Sequence, residues 1–178
     1  MPETNSPKKD DPGLGEIITN IARKIAAKDF STGDRAALRR LEDKVPNAPI
    51  FWSLMARCNA NALDRDAEEI RRWALILRGM AIMAPYHHPN TNNPGAMLAK
   101  NDFSELRLAK FLSARGAQFR DQYLLICRFL AVKGEAIDWR VLAKLVLAEG
   151  RNEKWAEEQR MAIARAYFRT KNSKEKAA

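Results

Sequence analysis

Cysteine and histidine are scarce in this 178-residue chain, two of each, and their placement closes off several kinds of function. Cys58 and Cys127 stand far apart, with no C-x-x-C pair and no histidine at ligand spacing. Neither a zinc site nor a disulfide framework is indicated, and both are expected to be reduced core residues. His87 and His88 are neighbours, so their side chains diverge, and no carboxylate cluster stands near them in sequence. They read as a loop pair without a metal or proton-transfer role. No stretch approaches the 18 uninterrupted apolar residues that would suggest a membrane span. The residues up to Gly13 are polar, carry Pro2, Pro7 and Pro12, and lack the apolar centre of a signal peptide, so a cytoplasmic location is expected. No segment alternates apolar and polar residues as a half-buried strand would. An acid, base, nucleophile or metal set cannot be assembled either, and the reading is of a protein with no cofactor, no bound metal and no catalysis.

Basic charge is what the chain has in excess. Thirty-one Lys and Arg against 22 Asp and Glu give +9 and a pI near 9.8. This favours an anionic partner and says little about fold. Nucleic acid leads, because the basic residues are spread over several segments and not gathered beside an apolar run or on an amphipathic terminal helix, as a membrane-binding surface would require.

Helical spacing dominates the order of the sequence. Residues 1–13 read as a disordered leader and 171–178 as a charged, frayed tail. Between them the pattern predicts an all-α protein of two small packed helical bundles, about eight helices, with residues 14–84 in the first bundle and 96–170 in the second. Residues 85–95, rich in proline and asparagine, read as the loop between them. The expected helices are Glu16–Lys28, Gly33–Lys44, Pro49–Asn61, Arg65–Ala84, Ser104–Arg115 closed by Gly116, Gln118–Lys133, Trp139–Glu149 and Asn152–Arg169, with a helical turn at Gly95–Lys100. Trp52, Trp73, Trp139 and Trp155 fall on apolar stripes and read as core. Asp64, Asp66, Glu68 and Glu69 sit where a helix N-terminus wants negative charge, which accounts for them without a two-metal site.

Gly33–Leu41 carries the most specific chemistry. Ser31, Thr32 and Asp34 offer N-terminal capping groups. Leu38, Leu41 and Val45 share one face, Arg39 and Arg40 flank the opposite direction, and Arg35 lies near the edge. Guanidinium forks suit phosphate and carry no catalytic proton at neutral pH, so these arginines read either as a backbone-binding surface or as a solvated helix face. Arg107 and Lys110, at i and i+3 opposite Leu108 and Leu112, suit successive phosphates. Arg115 reads as a phosphate contact or as a cation at a helix C-terminus. Arg128, alone in an apolar stretch, has to snorkel, pair with a carboxylate or line a groove. Arg78 poses the same question and is read as structural.

Gly33-Asp34-Arg35-Ala36-Ala37-Leu38-Arg39-Arg40, Ser104-Glu105-Leu106-Arg107, Ile137-Asp138-Trp139 and Ala164-Arg165-Ala166-Tyr167-Phe168, in this order and spacing, together resemble the CasB-type small subunit of the type I-E CRISPR surveillance complex, Cascade. The resemblance extends from about Ala22 to Arg169. It implies an all-α, non-enzymatic protein present as two copies along the inner belly of the complex, in contact with other Cascade subunits and stabilising opened target DNA. Arg39, Arg40 and Arg107 would then face guide RNA, target DNA or the displaced single strand through backbone contacts, the sequence being read by base pairing to the guide. The 85–95 loop matches no motif of that family. Two other readings stay open. A helix-turn-helix regulator would need base-reading side chains at the start of a recognition helix, and a helical protein-interaction module would ignore polyanions.

Overall fold

The computed structural model describes residues 12–58, 65–85 and 92–177, and among them every regular element is an α-helix, nine in all. They are α1 (Pro12–Ala26), α2 (Thr32–Arg39), α3 (Pro49–Cys58), α4 (Ala67–Met83), α5 (Pro94–Lys100), α6 (Glu105–Ser113), α7 (Gly116–Val132), α8 (Trp139–Ala148) and α9 (Glu153–Ala177). His87, His88, Asp64, most of the expected leader and much of the 85–95 loop lie outside the described residues.

α4 organises the rest. Its apolar residues run almost all round, and it packs against α1, α2, α7 and α8. α5 and α8 lie on α9, and α6 lies on α7 and α9, so the two groups of helices share one hydrophobic core. Ile18, Ile21 and Ile25 bring the buried stripe of α1 into it, and Trp73, Tyr123 and Trp139 fill its centre. α5 approaches α9 so closely that a Cβ on Gly95 would stand 1.9 Å from the Ile163 carbonyl oxygen. Only glycine fits there, because the obstacle is backbone and cannot rotate away.

Helix starts follow local chemistry. Ser31 accepts from the Asp34 amide at 3.3 Å, Asp66 from Glu69 at 2.8 Å, Asn93 from Gly95 at 2.9 Å and Asp138 from Arg140 at 3.0 Å. Each accepts an amide hydrogen that has no partner within the first turn.

Several boundaries differ from expectation, the first being the start of α1 at Pro12, inside the segment read as leader and four residues before Glu16. α2 ends at Arg39 and not at Lys44: the Arg40 and Leu41 amides turn back to the Ala37 and Leu38 carbonyls, each at 3.2 Å, in a tightened last turn that closes the helix. Val45, expected on the buried stripe, is exposed as a result. Gly116, expected to close α6, instead opens α7 with φ 54°, after an extended Ala114 and Arg115. The segment read as a frayed tail is helix as far as Ala177. Lys171 pairs with Glu105, and Lys174 reaches Asp102 at 2.7 Å and the Lys100 carbonyl at 3.1 Å, which ties this end of α9 to the turn between α5 and α6.

Candidate nucleic-acid interface

The seven cations singled out in the sequence separate into two kinds, with Arg39 between them. Arg35 is turned inward: its Nε and Nη2 donate to the Ile25 carbonyl at 3.1 and 2.9 Å and Nη2 to Ala27 at 3.0 Å, with the guanidinium over the Phe30 ring. It caps the C-terminal end of α1, where unpaired carbonyls attract a cation. Arg115 is similarly engaged. Its Nη1 donates to the Leu112 and Ala114 carbonyls, each at 3.0 Å, and its Nη2 meets Glu157 at 2.8 Å and Glu153 at 3.3 Å. Arg39 is intermediate, exposed but with Nε donating to the Ala81 carbonyl at the end of α4, 2.8 Å away.

The other four face solvent. Arg40, Arg107, Lys110 and Arg128 are exposed, and no side-chain ion pair joins any of them to a carboxylate among the described residues. Three of them sit on one supersecondary unit. α6 and α7 form an antiparallel hairpin, set by Phe103 against Phe129 (ring centroids 4.9 Å apart) at one end and Phe111 against Phe119 (6.0 Å) at the other. Arg107 lies over the Phe103 ring at 5.9 Å. Lys110 lines a shallow cavity of about 300 Å³ with Ser113, Gln118, Asp121 and Gln122. Arg128 shares the outer face of α7 with Leu125 and with Val132, which is 86% exposed. The helix is therefore open along this strip, and Arg128 has no need to snorkel or to seek a buried partner.

Behind these surfaces lies a junction where charge is used differently. Arg160, 3% exposed, pairs with Glu149 and lies 2.7 Å from Glu153 and 2.6 Å from Glu157. Glu149 also accepts from the Gly116 amide at 3.3 Å. Arg72 pairs with Glu68 and donates to the Val146 carbonyl at 2.9 Å, while Arg151 reaches Glu69 at 3.2 Å and Asp66 at 3.3 Å. Arg65 also lies 3.6 Å from Glu69, so the acidic run at the start of α4 is occupied by the amides of its own helix and by three arginines. The hydrogen bond donated by the Glu69 amide holds the Asp66 carboxyl below its ordinary range, and a hydrogen bond from Arg72 does the same for Glu68. Among the described residues no three His, Cys, Asp or Glu side chains group as a metal site. Cys127 is buried, and burial pushes its thiol up to about 12, so it is inert at neutral pH. Cys58, expected in the core, is only half-buried.

Some exposed cations escaped the sequence reading. Arg71 is one, and it lines a groove between α4 and α7 with the half-buried Arg78, already read as structural, and with Arg120, which is held by Asp43 at 2.7 Å. Arg165, Arg169 and Lys176 stand on the outward side of α9, beyond or near the point where the helix was expected to stop.

A family model described as CRISPR-associated protein Cse2 matches residues 34–168. Among solved structures, M. ruber CasB superposes with a TM-score of 0.69 at 18% identity, over 91% of this chain and 98% of that one. A chain in the crystal structure of E. coli Cascade bound to a PAM-containing dsDNA target superposes with a TM-score of 0.63 at 16% identity, over 86% of this chain and 95% of that one. No curated protein matches.

Proposed function

This chain belongs to the CRISPR-associated Cse2 family, and from that premise we propose that it works as the small subunit of a type I-E Cascade complex, holding nucleic-acid backbone without catalysing a reaction. The observation that carries the reading is the division of its cations: those at the helix junction are spent on carboxylates, while Arg40, Arg107, Lys110 and Arg128 stand outward and unpaired among the described residues. Such a surface binds phosphate and has no evident base-reading set, which suits a protein whose complex reads sequence through a guide. Guide RNA, opened target DNA, the displaced strand, neighbouring Cascade subunits and a second copy of the chain are the partners this role requires.

The test is target-DNA affinity of the reconstituted complex carrying Arg40→Glu, Arg107→Glu and Arg128→Glu together. A fall of about tenfold or more is expected, since each reversal replaces an attraction with a repulsion. Unchanged affinity would return these residues to ordinary surface, and strong sequence preference by the isolated chain would favour a helix-turn-helix regulator instead.

A further inference from the structure

α9 uses its cations differently on its two sides. Toward the protein, Arg160 is enclosed by Glu149, Glu153 and Glu157, Lys171 is paired with Glu105, and Lys174 with Asp102. Away from it, Met161, Arg165, Phe168, Arg169, Asn172 and Lys176 are all exposed. At about 100° per residue these six fall within an arc of about 100°, a single stripe along the outer face. No ion pair joins Arg165, Arg169 or Lys176 to a carboxylate among the described residues. Glu158 stands at the N-terminal end of the stripe, and Glu175, at its edge, lies 3.9 Å from Lys171. The helix dipole accounts for Lys176 in the last turn but not for Arg165 or Arg169, which stand two turns or more from the end.

Between the two arginines sits an aromatic ring. Phe168 is 42% exposed and meets Tyr167 edge-on, with centroids 5.2 Å apart and planes at 78°. Tyr167 is itself buried, with its hydroxyl donating to the Phe103 carbonyl, so the exposed ring rests on a fixed support. A lone exposed phenylalanine needs no explanation. One flanked by unpaired guanidiniums has the composition of a stacking platform within a phosphate-binding track.

We propose that the outer face of α9 is a second nucleic-acid contact, specific for single strands, in which an unpaired base stacks on Phe168 while Arg165, Arg169 and Lys176 hold the flanking phosphates. A duplex does not offer this ring a free base face, so single strands are the ligand that uses the whole stripe. The site is separate from the α6–α7 surface and does not depend on it.

Fluorescence anisotropy of the full chain with labelled oligothymidylate, an abasic strand of equal length and a duplex tests this. Arg165→Glu with Arg169→Glu should weaken oligothymidylate binding and reduce the steepness of its log–log salt dependence by about 1.4, two contacts at about 0.7 each. Phe168→Leu, which keeps an apolar contact with Tyr167, should cost about tenfold on oligothymidylate and leave the abasic strand and the duplex unchanged. Phe168→Ala with an unaltered melting temperature should do the same. If the arginine variants bind oligothymidylate like the parent, the proposal fails, and it fails in favour of a protein-docking face if those variants still bind but no longer assemble into the complex. Equal loss by Phe168→Leu on thymidylate and abasic strands would eliminate stacking. Arg107→Glu with Arg128→Glu, measured in parallel, separates the two surfaces: loss there alone leaves the α6–α7 reading standing and sinks this one.

Discussion

The junction of α4, α7, α8 and α9 and the outer face of the α6–α7 hairpin are built from the same residue type and put it to opposite uses. At the junction, Arg160, Arg72, Arg151 and Arg115 are surrounded by carboxylates and carbonyls and tie four helices together. On the hairpin, Arg107 and Arg128 point into solvent with no carboxylate paired to them among the described residues. A net charge of +9 therefore overstates neither surface nor glue, because it counts both alike. Placement decides which arginines remain for an anion: a guanidinium whose donors are already taken has to break those bonds before it can hold a phosphate.

The sharpest way to break the comparison is Arg160→Ala. Removing it leaves the Glu149 carboxylate buried beside Glu153 and Glu157 with its main counter-charge gone. Loss of one member of a buried pair costs about 3–5 kcal/mol. Urea unfolding should show a loss of that order, with nucleic-acid affinity of the remaining folded protein little changed. A small loss would mean that the junction is no more structural than the hairpin face.

A second, smaller effect should depend on pH. Asp138 caps α8, holds Arg140 through Nε at 2.9 Å and Nη2 at 2.7 Å, and receives no other assignment. Partial burial works to raise its pKa, but the hydrogen bonds from the Arg140 side chain and amide outweigh that and leave it lowered. A carboxyl lowered on folding stabilises the protein above its unfolded value, about pH 4, and loses that contribution as pH falls through the folded value. Asp138→Ala should cost about 1 kcal/mol at neutral pH, and the gap between variant and parent should narrow on acidification. A gap that widened as pH fell would reverse the assignment.

Much of the fold was legible because its signals are local. Capping residues at Ser31, Ser104 and Asp138, and apolar spacing such as Ile18, Ile21 and Ile25, need no knowledge of distant contacts. The end of α9 was not legible, since its last turns are held by Glu105 and Asp102, which are far away in sequence. The candidate surface was legible by residue type but not by availability. Arg35 and Arg115 carry the same guanidinium as the binding residues, yet the carbonyl ends of α1 and α6 and the carboxylates of α9 claim them, and only the three-dimensional arrangement shows this. At Arg128 the apolar neighbours left snorkelling, pairing or a groove as the choices, whereas Leu125 and Val132 are themselves exposed beside it and the side chain simply faces solvent.

The smallest effects on stability sharpen the comparison most. Arg40→Glu, Arg107→Glu and Arg128→Glu, made singly, should each change unfolding free energy by no more than about 0.5 kcal/mol, because none of the three side chains is buried or ion-paired among the described residues. Each should also reduce the salt steepness of single-strand binding by about 0.7, the contribution of one phosphate contact. Arg115→Ala is the matched control. It removes a cation of the same type from the chain, but one whose donors already serve Leu112, Ala114, Glu153 and Glu157, so it should lower the melting temperature while leaving the salt steepness unchanged. Melting curves and salt titrations on the same four variants give both quantities. If Arg115→Ala flattened the salt response as much as Arg107→Glu, the engaged arginines would be exchanging their carboxylates for phosphate, and the division between structural and binding cations would disappear.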